Sequence, residues 1–235
     1  MKIIIPSRGR SATIGQRALR LFPDATVCVA EEEADTYAKV TPNLLLHPAA
    51  VTGIGPIRQW ILDHVPDRTV VQVDDDVQYV RSWVGFKSRR SEAPAFASAV
   101  VERAAIMAED LGVSVFGFFQ GADALYYRPF QPFSFNHWVG GIVGFVGRRL
   151  RYDPSLVLRA DIDYCLQALL RDRIIFMDCR YSFIHTRFGG SGGNAANRSS
   201  ERHAREIAYL QRKWGQYLKV EPAKGTTLLK VCVPR

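Results

Sequence analysis

The sequence has few of the features that mark secreted, zinc-binding or membrane proteins. Its four cysteines, Cys28, Cys165, Cys179 and Cys232, are scattered and never form a Cys-x-x-Cys pair, which excludes the ligand spacing of structural zinc sites. No apolar run is long enough to cross a bilayer, and the segment MKIIIPSRGR lacks the layout of a signal peptide. We therefore expect a cytoplasmic protein with reduced thiols and no membrane partner.

Two familiar nucleotide-binding fingerprints are also missing. The chain contains neither a GxGxxG turn nor a P-loop, so dinucleotide binding and ATP binding of those types are not indicated. What is present is a chain of 235 residues, 47% of them hydrophobic, which is long enough to bury a substantial core. Its formal charge of +8 favours a polyanionic partner, either a nucleic acid or a phosphorylated substrate, although a solvated basic surface gives the same charge.

The first third of the chain alternates between predicted strands and predicted helices. The strands cover residues 2–5, 25–30, 43–47 and 69–73, and the helices cover residues 11–21 (with Ser11 or Thr13 as N-cap), 31–39 and 56–64. This alternation is typical of a parallel sheet with crossover helices, which binds ligands at the carboxyl ends of its strands. The segment SRGR after the first strand and the segment DDD after the fourth both lie at such ends.

The rest of the chain gives a less regular pattern. Helices are predicted at 94–111, 160–171 and 199–217, strands at 113–119, 139–146, 174–178, 181–185 and 226–233, an aromatic-rich loop at 120–137 and a Gly/Asn-rich loop at 187–198. The aromatic loop suits stacking on bases or a sugar, or a small hydrophobic cluster of its own. We expect one domain over 1–235, divided into residues 1–80, residues 81–190 and a basic C-terminal segment (191–235), in which the resemblance described below makes 1–80 the nucleotide-binding half and 81–190 the acceptor-side half.

The strongest chemical motif is the acidic triplet in VVQVDDDV, residues 70–77. Neighbouring carboxylates repel one another unless a cation lies between them. Because residues two apart in an extended segment point to the same side, Asp74 and Asp76 can share an ion while Asp75 faces elsewhere. Oxygen ligands of this kind suit Mg²⁺ or Mn²⁺. The alternative is a capped strand end with solvated carboxylates.

Two basic segments suit the phosphate groups of a nucleotide. In IIIPSRGR, residues 3–10, Ser7, Arg8 and Arg10 follow a buried strand directly, so a hydroxyl, backbone N–H groups and two guanidinium groups lie at the ligand edge. In GIGPIRQW, residues 53–60, Arg58 lies near a helix start and can reach a diphosphate. Either segment can equally be an ordinary turn or a solvated helix face.

Two further segments supply a candidate base and a candidate metal ligand. Asp161 and Asp163 begin a predicted helix, and a carboxylate there can take a proton from an attacking hydroxyl. We choose Asp161 as the base and Asp163 as the second candidate, although N-capping of the helix is an alternative role for either. His185 follows a strand and is a candidate third metal ligand, or a structural histidine. The glycines that follow suit a mobile lid, and Arg187 and Arg198 flank that loop.

Taken in order, these motifs resemble those of GT-A nucleotide-sugar glycosyltransferases. IPSRGR, VAEEEADTY, GIGPIRQ and VVQVDDDV together look most like the phage TET-associated glycosyltransferases. The resemblance implies a Rossmann-like, mostly parallel central sheet with flanking helices and a small acceptor-side subregion. It also implies a nucleoside-diphosphate sugar, such as a UDP-sugar, as donor, Mn²⁺ or Mg²⁺ as cofactor, and a hydroxymethylated pyrimidine of DNA as acceptor, in the cytoplasm of an infected cell.

The resemblance also assigns residues. Those implied to bind the sugar nucleotide are Pro6, Ser7, Arg8, Arg10, Glu31 (or Glu32), Arg58, Asp74, Asp75 and Gly141. Those implied to bind the metal are Asp74, Asp76 and His185. The acidic pair that usually precedes the acceptor-side helix is Glu-Asp, and here it is Ala160-Asp161, which leaves the base and the anomeric outcome open.

Arg89, Arg90, Arg198 and Arg202 are candidates for contacts with DNA phosphates.

Two other functions remain compatible with the sequence. A metal-dependent nucleotidyltransferase would use the same sheet and acids, although it usually has a Lys in the loop after the first strand, which SRGRSATIG lacks. A nucleic-acid-binding module without catalysis is the third reading, and the oligomeric state is not indicated.

Overall fold

The computed structural model describes residues 1–84, 87–121, 127–185, 199–223 and 226–234. Its strands are β1 (Lys2–Pro6), β2 (Thr26–Ala30), β3 (Leu44–His47), β4 (Thr69–Val73), β5 (Val77–Val84), β6 (Lys87–Ser91), β7 (Val115–Phe118), β8 (Phe133–Ser134), β9 (Ile142–Val146), β10 (Phe176–Asp178), β11 (Tyr181–His185), β12 (Leu218–Ala223) and β13 (Thr226–Val231). Its α-helices are α1 (Ser11–Ile14), α2 (Ala18–Leu21), α3 (Ala34–Ala38), α4 (Ile54–His64), α5 (Pro94–Asp110), α6 (Ala160–Arg171) and α7 (Ser200–Trp214). Short 3-10 helices cover Glu31–Glu33 and Gly215–Tyr217.

The central sheet has the strand order β3-β2-β1-β4-β9-β7-β10-β8. Strands β1 to β4 and the pair β7 and β10 run parallel, whereas β9 and β8 are antiparallel to their neighbours. The order reverses between β1 and β4, which pair directly from Lys2 with Val70 to Ile4 with Gln72. The loops that follow these two strands therefore meet at the switch point of the sheet, where open α/β sheets bind ligands.

The sheet is covered by a hydrophobic core on each face because successive side chains of a strand alternate between faces. On β1, Ile4 packs with α4 and α6, while Ile5 packs with α2 and α5. On β4, Val70 and Val71 divide in the same way. Burial on both faces explains why these strands are almost uniformly apolar. Each fully buried aliphatic side chain contributes roughly 1.5–3 kcal/mol to stability.

A second sheet begins at the edge of the first sheet at which β4 ends. Its strands have the order β11-β5-β6 and are antiparallel. Strand β5 begins at Val77, immediately after the acidic triplet, and β11 ends at His185, which pairs with Val77. This sheet therefore brings the two ends of the candidate metal site together. Neither β5 nor β6 is predicted from the sequence, because their arginines interrupt the apolar pattern of a strand.

Several sequence-based bounds need correction. The helix predicted at 11–21 is two short helices, and the N-cap of α1 is Arg10, without a side-chain cap, instead of Ser11 or Thr13. Ser11 lies inside the helix, and Thr13 donates through Oγ1 to the carbonyl of Arg10. The strand predicted at 139–146 is present as β9, but it is antiparallel to β4.

The C-terminal segment consists of α7 and the hairpin of β12 and β13. Ser199 caps α7 by accepting a hydrogen bond from the N–H of Arg202, as expected for a serine at this position. Leu210 of α7 and Leu218 of β12 pack into the same core as α4 and α6. No helix in the described ranges has both the length and the apolar character of a membrane span.

Candidate active site

The loop after β1 and the acidic turn after β4 are joined by the carboxylate of Asp75. Ser7 donates from Oγ to Oδ2 of Asp75 over 2.6 Å, and the guanidinium of Arg10 donates to Oδ1. Asp75 is only 6% exposed. Burial raises its pKa to about 6, against the opposing effects of Ser7 and Arg10. Asp75 is thus bound by Ser7 and Arg10 and fixes the position of the SRGR loop.

Tyr37 also holds the SRGR loop in place, a role that the sequence does not reveal. Its hydroxyl lies 2.8 Å from Ser7 Oγ and accepts a hydrogen bond of 2.9 Å from the backbone N–H of Arg10. The ring is fully buried. Glu33 accepts from the N–H of Gly9 over 2.7 Å. The segment after β2 therefore reaches the nucleotide loop through Tyr37 and Glu33, whereas Glu31 is exposed and is not among the residues that line the cavity described below.

Asp74, Asp76 and His185 form a compact set of ligand atoms. One atom from each lies within 4.8 Å of the others. Nδ1 of His185 is 3.0 Å from Oδ1 of Asp76. Although burial raises the pKa of Asp76, His185 and Arg10 lower it by more, so the carboxylate is ionised at neutral pH. Two carboxylates and one imidazole suit Mn²⁺ or Mg²⁺.

Arg58 links α4 to the first of these carboxylates. Its NH2 group donates to Oδ1 of Asp74 over 2.5 Å, and the residue is 5% exposed. Burial lowers the pKa of Arg58, but the charges of nearby acidic groups, Asp74 first, and the hydrogen bond to Asp74 together raise it by more, so the guanidinium stays charged. Its Nε atom has no hydrogen-bond partner among the described residues. Gln72 of β4 donates to the carbonyl of Arg58 and fixes that turn of the helix.

These groups surround a cavity of about 240 Å³ at the switch point. It is lined by Pro6, Ser7, Arg8, Arg10, Gly53, Ile54, Ile57, Arg58, Asp74, Asp75, Asp76, Leu158, Ala160 and Asp161. Three arginines and several carboxylates therefore share one concave surface, with Arg8 exposed at its mouth. Such a surface can bind a diphosphate together with a cation.

Asp161 lies in this cavity at the start of α6. Its Oδ1 accepts a hydrogen bond from the N–H of Ile162 over 2.9 Å, and the helix has Arg159 as N-cap with no side-chain bond. Burial raises the pKa of Asp161, against the effect of Arg58. A carboxylate with a raised pKa, open to a cavity beside a cationic wall, can accept a proton from a bound hydroxyl.

Asp163 points to the opposite side of α6 and does not reach the cavity. It is fully buried. Its oxygens accept hydrogen bonds from Trp214 Nε1 (2.8 Å) and Gln167 Nε2 (2.7 Å), and Lys213 Nζ lies 2.7 Å away. The expectation of Asp163 as a second catalytic acid does not fit this geometry, because residues two apart on a helix do not share a face. Its contacts attach α6 to α7.

Glu206 is a further residue that sequence patterns do not reveal. Its carboxylate accepts hydrogen bonds of 3.0–3.3 Å from the consecutive N–H groups of Val157, Leu158 and Arg159. These residues lead into α6, so Glu206 of α7 holds the segment that carries Leu158 and Asp161 into the cavity. Because this contact joins distant parts of the chain, α7 and the start of α6, no local sequence pattern indicates it.

The remaining predicted residues have different positions. Gly141 does not line the cavity, but its carbonyl accepts from the N–H of Asp74 over 2.8 Å. Arg89 and Arg90 are exposed on β6, away from the cavity. Arg202 lies in the first turn of α7. Arg198, Arg187 and the Gly-rich loop lie outside the described residues.

Solved structures with a similar fold support the expected architecture. Glucosyl-3-phosphoglycerate synthase from Mycobacterium tuberculosis has a TM-score of 0.58 at 13% identity, with 99% of this chain and 89% of that chain covered. Mannosyl-3-phosphoglycerate synthase from Rubrobacter xylanophilus has a TM-score of 0.51 at 15% identity, with 100% and 84% covered. At such identities the likeness is one of fold, and it confirms the GT-A-like α/β class.

Residues 1–349 of TarS from S. aureus give a TM-score of 0.51 at 14% identity, with 81% of this chain and 60% of that chain covered. This chain thus spans less than two thirds of the TarS chain. Among curated proteins, no sequence matches this chain significantly.

A family model gives the more specific result. The model of the TET-associated glycosyltransferases matches residues 1–193 of the 235. The matched part contains the SRGR loop, the acidic triplet, Asp161 and His185, whereas α7 and the C-terminal hairpin lie beyond it. The chain therefore belongs to the family of TET-associated glycosyltransferases.

Proposed function

We propose that this chain transfers a sugar from a nucleoside-diphosphate sugar to a hydroxyl group, with a divalent cation bound by Asp74, Asp76 and His185. The observation that carries the proposal is the position of these three ligands beside a cavity that also presents Arg58 and Arg10. Crystals of the M. tuberculosis synthase contain Mn²⁺ and UDP-glucose, and those of TarS contain UDP-GlcNAc. These complexes support a UDP-sugar as donor and Mn²⁺ or Mg²⁺ as cofactor.

The chemistry required of the site is stabilisation of a leaving nucleoside diphosphate. A cation held by the two aspartates and the histidine supplies positive charge to that group when it is bound. Arg58, which is buried and charged, and Arg10 add positive charge beside the same aspartates. The Nε atom of Arg58, without a partner among the described residues, is a donor for a diphosphate oxygen. Asp75 and Tyr37 hold the SRGR loop against the nucleotide.

The acceptor is the second part of the proposal. Asp161 takes the proton of the attacking hydroxyl as the bond to the anomeric carbon forms. A net charge of +8 and exposed Arg89 and Arg90 on β6 favour a polyanionic acceptor. We therefore propose a hydroxymethylated pyrimidine in DNA, which presents its hydroxyl in the major groove or after base flipping. DNA binding of this kind weakens as salt rises.

The decisive experiment measures release of UDP and transfer to DNA with Mn²⁺ present. Asp76→Ala should abolish both while the protein stays folded, because it removes a metal ligand without removing a core contact. Asp110→Ala, which changes an exposed carboxylate at the end of α5, is the matched control and should keep full activity. Turnover of Asp76→Ala equal to that of wild type with Mn²⁺ present, or turnover of wild type that a chelator leaves unchanged, would refute the metal role. Release of pyrophosphate from a nucleoside triphosphate, in a protein that releases no UDP from a UDP-sugar, would indicate nucleotidyl transfer.

A further inference from the structure

A second groove lies on the three-stranded sheet, at the end remote from the metal ligands. Its volume is about 670 Å³, and β5, β6 and the start of β11 form its floor. Strand β5 leads there directly from the active site, since Val77 follows Asp76 and Trp83 lies six residues further along. At about 3.3 Å per residue, the groove begins roughly 20 Å from the metal ligands.

Arginines line this groove, and no Asp or Glu is among its described lining residues. Arg89 is exposed, and no described residue forms an ion pair or hydrogen bond with its guanidinium. Arg90 pairs with Glu92 and lies 4.2 Å from the ring centre of Tyr79. Arg180 is held over the ring of Phe133 at 4.9 Å while Asp178 binds its NH2 at 2.7 Å. Among the residues that the structure describes, the groove thus combines one exposed arginine without an ion pair and two oriented arginines.

Aromatic side chains line the rest of the groove. Trp83 and Tyr127 stack with ring centres 5.7 Å apart and planes 18° apart. Trp83 is fixed by a hydrogen bond from Nε1 to Ser182 Oγ of 3.2 Å and is 3% exposed. Phe96 and Tyr181 also line the groove, with ring centres 6.0 Å apart. Guanidinium groups bind phosphate oxygens with matched geometry, and a rigid apolar wall beside them suits the sugar faces of a phosphodiester chain.

We propose that this Arg89 groove, formed by Arg89, Arg90, Arg180, Trp83 and Tyr127, binds the phosphodiester backbone of the DNA acceptor. The inference rests on the proposed DNA acceptor and adds the place where the flanking DNA is held. Duplex DNA rises about 3.4 Å per nucleotide along each strand. A separation of roughly 20 Å therefore corresponds to about six base pairs between the modified base and the bound phosphates.

The proposal predicts that tight binding requires a DNA duplex long enough to reach from the active site to the groove. Binding at the active site alone would not depend on the length of the duplex in this way. Duplexes with ten base pairs on each side of a hydroxymethylcytosine should bind wild type more tightly than duplexes with three on each side. Binding is measured by fluorescence anisotropy without a donor sugar, over a series of salt concentrations. Arg89→Ala should bind the long duplex about fivefold more weakly, reduce the salt slope by about one, and lose most of the preference for length.

The matched control is Arg103→Ala, which removes an exposed arginine of α5 that lines neither cavity. It should leave affinity, salt slope and length preference unchanged. Equal binding of both lengths by wild type, or Arg89→Ala with the affinity and slope of wild type, would overturn the proposal.

A separate measurement distinguishes this proposal from the proposed function. Slow hydrolysis of UDP-sugar in the absence of DNA reports on the donor site alone and should be the same in Arg89→Ala and wild type. Length-dependent binding that requires Arg89, in a protein that never hydrolyses a sugar nucleotide, would support the groove and refute the transfer reaction. Hydrolysis without any measurable DNA binding would refute the groove and retain the donor chemistry.

Discussion

Gly141 lies so close to His185 that a Cβ atom added to the glycine would stand 2.3 Å from Nε2 of the imidazole. The same glycine has φ of +71°, and its carbonyl accepts from the N–H of Asp74. One residue without a side chain thus adjoins two of the three proposed metal ligands. A larger residue there would displace the imidazole from the cluster.

We therefore expect Gly141→Ala to weaken Mn²⁺ binding at least tenfold, measured by isothermal titration calorimetry. The left-handed backbone should also cost about 1–2 kcal/mol of unfolding free energy. Gly147→Ala is the matched control, because Gly147 has φ of +72° and no atom within 4 Å of an added Cβ. It should lose similar stability with unchanged Mn²⁺ affinity. Equal metal affinity in both variants would contradict the role of Gly141.

Asp161 and Asp163 should differ in what their loss changes. Asp161→Asn should lower the rate of sugar transfer by about 10²–10⁴-fold, the usual contribution of a general base, with little loss of stability. Asp163→Ala leaves Trp214 Nε1 and Gln167 Nε2 without their acceptor and should lower the unfolding free energy by about 1–3 kcal/mol. Urea unfolding and single-turnover transfer separate the two. A stable Asp163→Ala protein without activity would reverse the assignment.

Glu206 should contribute mainly to stability and to the placement of Asp161. Glutamine offers one acceptor oxygen and turns an NH2 group toward three N–H donors. Glu206→Gln should therefore lower the unfolding free energy by about 2–3 kcal/mol. It should also reduce transfer more than UDP-sugar hydrolysis, because α6 is on the acceptor side. Glu201→Gln, at an exposed position of the same helix, should change neither by a measurable amount.

Sequence patterns predict the half of the fold in which apolar strands alternate with amphipathic helices. The strands near residues 2–6, 26–30 and 69–73 are buried on both faces, which makes them recognisable. Strand β6, with the sequence KSRRS, is exposed except at its last residue, so no hydrophobic pattern marks it. The sequence likewise does not indicate that β9 is antiparallel to β4, because the direction of a strand depends on the connection that leads to it and not on its own residues.

The candidate site is likewise predicted only in part from the sequence. Spacing predicts that Asp74 and Asp76 share one side of a turn, and they lie together with His185 in the structure. Spacing cannot assign partners across long separations, such as Tyr37 with Ser7 or Glu206 with Leu158. It also cannot tell which of Asp161 and Asp163 reaches the cavity, because both lie in the first turn of α6 and the packing of α7 decides which side of that turn is covered.

The contact between Asp153 and α7 predicts a dependence of stability on pH. Burial raises the pKa of Asp153, but hydrogen bonds from Lys213 and Tyr209 outweigh this effect and lower it to about 2. Because the folded pKa lies below the unfolded value of about 3.9, the stabilisation is complete above about pH 5 and is lost as the pH falls toward 2. Asp153→Asn should be less stable than wild type by about 1–2 kcal/mol at pH 7.

The difference between Asp153→Asn and wild type should shrink steadily between pH 5 and pH 2 in urea unfolding experiments. Asp110→Asn, which changes an exposed carboxylate, should track wild type at every pH. A difference for Asp153→Asn that stays constant down to pH 2 would show that the loss comes from packing and not from the ionised carboxylate.

The cysteines offer a probe of the donor site that does not depend on activity. Burial raises the pKa of Cys28, Cys165 and Cys179 to about 12 each, whereas Cys232 is partly exposed. At pH 8 we expect a disulfide reagent to modify Cys232 quickly and the other three only when the protein opens. Cys28 and Cys165 pack in one core cluster with α4 and α6, so the rates at which they are labelled should report the same opening of the protein.

Mn²⁺ with UDP at about 100 times its Kd adds about 2.7 kcal/mol to the stability of the folded state, which corresponds to roughly a hundredfold slower labelling of Cys28 and Cys165. Cys232, which lies outside that opening, should react at an unchanged rate. Equal slowing at Cys232, or no slowing at Cys28 and Cys165, would show that the nucleotide does not bind the folded protein at the switch point.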